Sequence, residues 1–411
     1  MLARHPDFRR LFVANSLSLL GSSVTTVALP LTAVVYLRAS PVQMGLLGAM
    51  ALLPHLVLGL PAGVWVDRLP YKRILVLADL AQTALLGSIP VLAVFGSLRI
   101  WQLYVVVLLA GTANLFEIVT AQSFTPALVP RRELLAANST LMLSYATVNT
   151  SGSAVGGVLV SLLTAPVAIA VDAVSFLFAG LCKARIHANG PTTITPRRRG
   201  MPADIIDGLR AVFTHPVLRV VTLAATVSAC ANQLQNVVLV LYLVRDLGLA
   251  AGLVGVVVAI GGAGGVVGAL LATRITGRLG PGPAFITGMF LTATAGIVLA
   301  AAAGPLPLAL VVLAVAQILR GWGPSLFGVN QQTFRQALTA PALLPRANAT
   351  WRFLVYGVQA IGALLGGVLG STLNLRATLI VGSAVMLAGT AIAYLSPLRS
   401  LRELPGQHAK A

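Results

Sequence analysis

Long apolar runs broken by short charged turns decide what this chain can fold into. From Val42 to Val66 no residue carries a formal charge. Asp67, Arg68, Lys72 and Arg73 then fall within one turn, and the chain becomes apolar again. A bilayer core takes about 20 apolar residues per helix. Twelve runs satisfy that: Leu11–Leu37, Val42–Val66, Ile74–Ser97, Ile100–Phe124, Asn138–Leu163, Pro166–Cys182, Val217–Val244, Ala250–Ala272, Ala284–Ala303, Leu306–Gln331, Ala347–Leu373 and Ala377–Ser396. The runs are continuous rather than alternating and exceed barrel-strand length, which points to helices. The run after Arg9 and Arg10 is too long for a signal peptide's apolar region and is expected to be an uncleaved first helix.

Composition agrees. Of 411 residues 57% are hydrophobic and 9% charged, against about 25% charged in soluble domains. No polar half remains for a water-soluble domain. Cys182 and Cys230 fall in or beside apolar runs and offer neither a disulfide framework nor metal spacing. The formal charge of +18 reflects where the cations sit. With the N-terminus inside, only Arg38, Arg99, Arg245 and Arg376 of the 28 cations fall in outer loops; Arg320 lies within a span, and the rest, Lys183 among them, fall in inner loops and tails. That bias predicts both termini in the cytoplasm. Charge that follows alternate loops, rather than one face, speaks against nucleic-acid binding and for anionic inner-leaflet lipid.

A long cytoplasmic stretch divides the spans six and six. The expected segments are residues 1–182 as the first bundle, 183–216 as the linker, 217–396 as the second bundle and 397–411 as a tail. Within the linker, Ile205, Leu209, Val212 and Phe213 share one helical face, predicting an amphipathic helix on the inner membrane surface. The two halves repeat at a shift of 210. Ala137, Asn138, Thr140, Gly152, Gly156, Gly157, Val158 and Leu159 recur as Ala347, Asn348, Thr350, Gly362, Gly366, Gly367, Val368 and Leu369, and Gln122 and Phe124 recur as Gln332 and Phe334. Matched Gln, Asn and paired Gly exceed what two unrelated apolar helices share. A duplicated six-helix unit places a ligand site between its two copies, near the bilayer midplane.

Twelve spans, a same-direction repeat and a charged turn after the second span resemble the major facilitator superfamily. The turn matches its Gly-x-x-x-Asp-Arg signature at Gly63, Asp67, Arg68, Lys72 and Arg73, with Pro70 near the usual glycine. ALVPRRELLAANS and HPVLR are similar to the branch of macrolide-efflux proteins and enterobactin-type siderophore exporters. The resemblance implies an all-α membrane protein of two pseudo-two-fold-related six-helix bundles, working as a monomer by alternating access. It also implies that Asp67 gates the cytoplasmic side against the start of span 11, where Arg346 and Arg352 lie. Gly152, Gly156 and Gly157, repeated as Gly362, Gly366 and Gly367, resemble an antiporter motif without its proline and suit close helix packing. That family's helix-4 Arg, four residues before Gly111, is Val107 here, so the usual proton-coupling group is missing.

Polar residues within spans are expensive. Ser22, Thr25 and Thr26 have counterparts in Asn232, Gln235 and Asn236, and Asn149 in Gln359. With Asn114 and Arg320 they are the candidate lining of a substrate cavity, the alternative being hydrogen bonds between helices. His55 and Asp79 read as structural. Glu117 and Asp172 are the candidate proton carriers, and Glu117 the preferred partner of Arg320. A cavity of neutral polar groups with one or two charges suits a bulky amphiphile. The expectation is therefore proton-coupled export of a small amphiphilic compound (drug, antibiotic or siderophore-like product) across a bacterial cytoplasmic membrane, without cofactor. Uptake, a lysophospholipid substrate, or a receptor without transport are the alternatives. Neither H-E-x-x-H nor G-x-S-x-G occurs, which argues against an intramembrane enzyme.

Overall fold

The computed structural model describes residues 5–66, 69–130, 133–188, 201–340 and 343–403, without the side chains of 60, 63, 64, 135, 146, 149–151, 153, 154, 201–205 and 345. These residues form α-helices: α1 (Pro6–Leu31), α2 (Pro41–Val66), α3 (Tyr71–Val94), α4 (Ile100–Leu128), α5 (Leu134–Leu163), α6 (Ala165–Ala184), α7 (Met201–Phe213), α8 (Pro216–Leu241), α9 (Ala251–Leu279), α10 (Pro281–Ala300), α11 (Leu306–Leu338), α12 (Leu344–Thr372) and α13 (Leu375–Tyr394). Among the described residues eleven are long and apolar enough to cross a membrane. Many large apolar side chains face outward, Leu77, Val94, Leu162, Leu270 and Leu395 among them, as a lipid solvent requires.

The repeat extends to local geometry. α1 and α8 begin and end 210 residues apart, and each continues into one π-helical turn, Thr32–Tyr36 and Tyr242–Asp246. Each turn closes with the same backbone bond, Leu37 N–H to Thr32 O (3.0 Å) and Leu247 N–H to Tyr242 O (3.1 Å). The next residue takes a left-handed φ in both copies, +53° at Arg38 and +65° at Gly248. Glycine adopts that conformation freely, whereas arginine does so at a cost.

The chain divides into two compact units. One holds residues up to Pro196 together with Gly248–Ala259; the other holds Arg197–Leu247 and Ile260 onward. In the first unit α1 packs on α5 and α6, α3 on α4 and α6, and α2 on α4. In the second, α8 packs on α12 and α13, and α10 on α11 and α13, the same pattern shifted by 210. The glycines set the spacing. A Cβ on Gly156 would lie 3.0 Å from Val24 Cα of α1, and one on Gly366 3.0 Å from Leu234 Cα of α8. Gly152 meets Ser23, Gly362 meets the Cys230 carbonyl, and Gly157 abuts Gly255 in the stretch of α9 grouped with the first unit. Gly367 is buried.

The linker segment forms α7. α7 packs on α12: Arg346 Nη1 donates to Asp207 Oδ2 at 2.8 Å, and a Cβ on Gly208 would fall 2.7 Å from the Arg346 carbonyl. The buried face is thus Gly208 and Val212, while Leu209 and Ile206 point outward. Glycine at 208 allows this close backbone contact.

Candidate functional site

Three helices of the first unit bring four polar side chains into its interior. Lys183 Nζ, near the end of α6, donates to Asp79 Oδ1 of α3 at 2.9 Å and to Glu117 Oε1 of α4 at 2.6 Å. Gln82, one turn after Asp79, donates through Nε2 to Glu117 Oε2 at 2.9 Å. Lys183 and Asp79 are 0% exposed and Glu117 7%. The expected position of Lys183 is revised. Lys183, assigned to the cytoplasmic linker, lies inside α6 because its ammonium has two carboxylates to satisfy. Asp79 is part of this cluster, and Glu117 is paired with Lys183 rather than Arg320.

The second unit has no charged side chain in the corresponding place. At 210 further on, Asp79, Glu117 and Lys183 become Met289, Phe327 and Ala393, and Gln82 becomes Thr292. Met289, Phe327 and Ala393 pack together in an apolar cluster with Phe285 and Phe334. One backbone arrangement therefore holds a charged cluster in one copy and an apolar core in the other. Asp79 and Lys183 were legible in principle, since each stands opposite an apolar residue in the repeat, as Glu117 does.

Asp172, 1% exposed, forms a separate site between α1 and α6. It accepts from Thr25 Oγ1 at 2.5 Å and from Ser175 Oγ at 3.3 Å, with Ser22 also in reach. Gly21 makes the room: a Cβ there would lie 2.9 Å from Asp172 Cα, a backbone atom that cannot swing aside. Gly21→Ala should therefore force α1 and α6 apart and cost about 1–3 kcal/mol. A fall in the melting temperature of the purified protein checks this. In the second unit Gln235 stands where Thr25 does and Gly382 where Asp172 does. Gln235, 2% exposed, fills the gap and donates to Leu379 O and Ser383 Oγ, both at 3.0 Å. It ties α8 to α13 rather than facing an open surface.

The remaining polar candidates of the second unit meet around Arg320 of α11. Its Nη2 donates to Asn236 Oδ1, and Asn236 Nδ2 donates to Asn232 Oδ1 at 2.7 Å. Arg320 Nη1 has no partner among the described residues. Thr26 is exposed and bonded to the Ser22 carbonyl, and Asn114 and Gln359 are half-buried. The Asn149 side chain, Asp67 and Arg68 lie outside the described residues. Of the expected gating set, Arg346 engages Asp207, Arg352 and Arg73 are exposed, and Lys72 is half-buried. No group of three or more His, Cys, Asp and Glu suited to a metal occurs among the described residues.

Comparison with known proteins places these features in a family. Residues 2–409 match the family model of transmembrane secretion effectors. The chain is 26% identical over 392 residues to the multidrug efflux pump Tap of Mycolicibacterium fortuitum, covering 93% of each chain. It is also 26% identical over 430 residues to the enterobactin exporter EntS of Escherichia coli O1:K1, covering 99% of this chain and 96% of EntS. A crystal structure of a variant of the nucleoside transporter NupG superposes with a TM-score of 0.77 at 13% identity, covering 95% of this chain and 99% of that one. That likeness shows the fold alone.

Proposed function

Because the chain belongs to the transmembrane secretion effectors of the major facilitator superfamily, we propose that it exports a small amphiphilic compound by alternating access, driven by protons. The observation that carries this reading is Arg320: a guanidinium with a free N–H edge beside an amide pair, in a full-length relative of two exporters. A half-buried cation within a span and without a carboxylate partner is costly, and an acidic group on a substrate would relieve that cost. Asn232, Asn236, Asn114, Asn149 and Gln359 are assigned to the rest of the cavity, together with Ser22, Thr25 and Thr26. Proton coupling is assigned to the buried carboxylates Glu117 and Asp172. Gating is assigned to the turn at Gly63, Asp67, Arg68, Lys72 and Arg73, and to Arg346 and Arg352.

The reading includes twelve spans in two six-helix bundles, α5 supplying the twelfth, with both termini cytoplasmic in a bacterial inner membrane, and a monomer as the working unit. Efflux from proteoliposomes, measured for a panel of amphiphiles with and without a pH gradient, tests it. Gradient-dependent loss of acidic amphiphiles from the lumen is expected, with neutral sugars and nucleosides retained. Retention of every compound, or efflux indifferent to the gradient, removes the proposal.

A further inference from the structure

In the α3–α4–α6 cluster two acids face one cation. Lys183 brings one positive charge, and Asp79 and Glu117 bring two negative ones if both are ionised. The cluster is sealed: Lys183 and Asp79 have no exposure. The acceptors are also unequal. Glu117 has a donor on each oxygen, Lys183 on Oε1 and Gln82 on Oε2. Asp79 has Lys183 on Oδ1, but its buried Oδ2 has no partner among the described residues and faces the bare backbone of Gly180 on α6. An ionised carboxylate would leave charge on that oxygen with nothing to hold it; a neutral carboxyl leaves only a hydroxyl.

The surrounding elements supply no other cation to the cluster. The remaining ionisable groups around it, among the described residues, are Asp172 on α6, whose negative charge acts on Glu117, and His55 on α2, which has an interaction of its own. At the cytoplasmic ends lie Arg185, Lys72 and Arg73, and the group in which Asp7 accepts from Arg10 at 2.7 Å and from the His187 and Ala188 backbone at 3.1 Å. α5 carries neither acid nor Lys or Arg.

We infer that Asp79, Glu117 and Lys183 form a binding site for one proton, shared by the two carboxylates and limited to one by Lys183. Glu117 is the member with residual exposure, so it is the port through which the proton exchanges, and Asp79 is where it rests. This deepens the proposed coupling role of Glu117 and rests on that reading only for its purpose; the number of bound protons is an equilibrium property, independent of transport.

Infrared spectroscopy of the purified full-length protein at neutral pH counts neutral carboxyl groups by their C=O band, with Asp172→Asn used to subtract that residue. One cluster band is expected in the wild type. It should vanish in Asp79→Asn and equally in Glu117→Gln, because either amide leaves Lys183 with a single carboxylate and no need of a proton. Lys183→Arg should keep the band. Selective ¹³C-aspartate labelling of the wild-type side chains should shift it, which assigns the resting position without any substitution in the cluster. A band that survives either amide variant makes the proton the property of one lone acid and overturns the site. So does a wild type without the band whose melting temperature rises with sodium, since the neutralising cation would then be a metal ion. A protein with the expected count that fails to move substrate along a pH gradient would overturn the proposed function and leave the site standing.

Discussion

Lys183→Ala should lower the stability of the protein by about 3–5 kcal/mol, because it leaves the ionised member of the Asp79–Glu117 pair in the interior without its cation. For a unit of this size that is a fall in melting temperature on the order of 10 °C. The repeat supplies the remedy. Asp79→Met, Gln82→Thr, Glu117→Phe and Lys183→Ala together install what the second unit already packs on an equivalent backbone. Replacing a buried ion group with apolar residues of fitting shape is often neutral or stabilising, so the fourfold variant should melt near or above the wild type. It should also bind no cluster proton and lose efflux driven by a pH gradient, while exchange down a substrate gradient persists. Thermal melts and the two transport assays read this together. A fourfold variant as unstable as Lys183→Ala would mean that the two copies are not interchangeable here, and the structural equivalence would fail.

The spans and the repeat were open to reading because both are one-dimensional properties. A bilayer sets a run length, and a duplication sets a constant offset; α1 and α8 keep that offset to the residue, through the π turn and the left-handed residue after it. What the sequence hid is pairing. Lys183 stands at the end of an apolar run, where a cation is ordinarily an inner-loop residue by the orientation rule; only the packing of α6 on α3, and the reach of Lys183 to Glu117 of α4, reveal it as a buried counter-ion. The same blindness made Arg320 the expected partner of Glu117, which Lys183 and Gln82 hold. Gln235 looked like a cavity residue because it is polar and matched to Thr25, yet it fills the space that Asp172 occupies in the other copy.

Arg320→Ala should reduce the affinity for acidic amphiphiles about 10- to 100-fold, the effect of losing one charge-assisted hydrogen bond of about 1.5–3 kcal/mol. Neutral amphiphiles should lose little, because they offer no negative charge to the guanidinium and the Asn232–Asn236 pair remains. Arg320→Lys should restore part of the loss: lysine keeps the charge but not the flat fork of donors that reaches Asn236 and still presents Nη1. The protein should fold in either variant, since the residue left behind is a neutral amide that can pair with its neighbour rather than an orphaned carboxylate. Equilibrium binding of a matched acid and its methyl ester to the purified protein separates the effects. Equal losses for acid and ester would make Arg320 a structural brace for α8 and α11. An unchanged affinity for both would place substrate recognition elsewhere in the molecule.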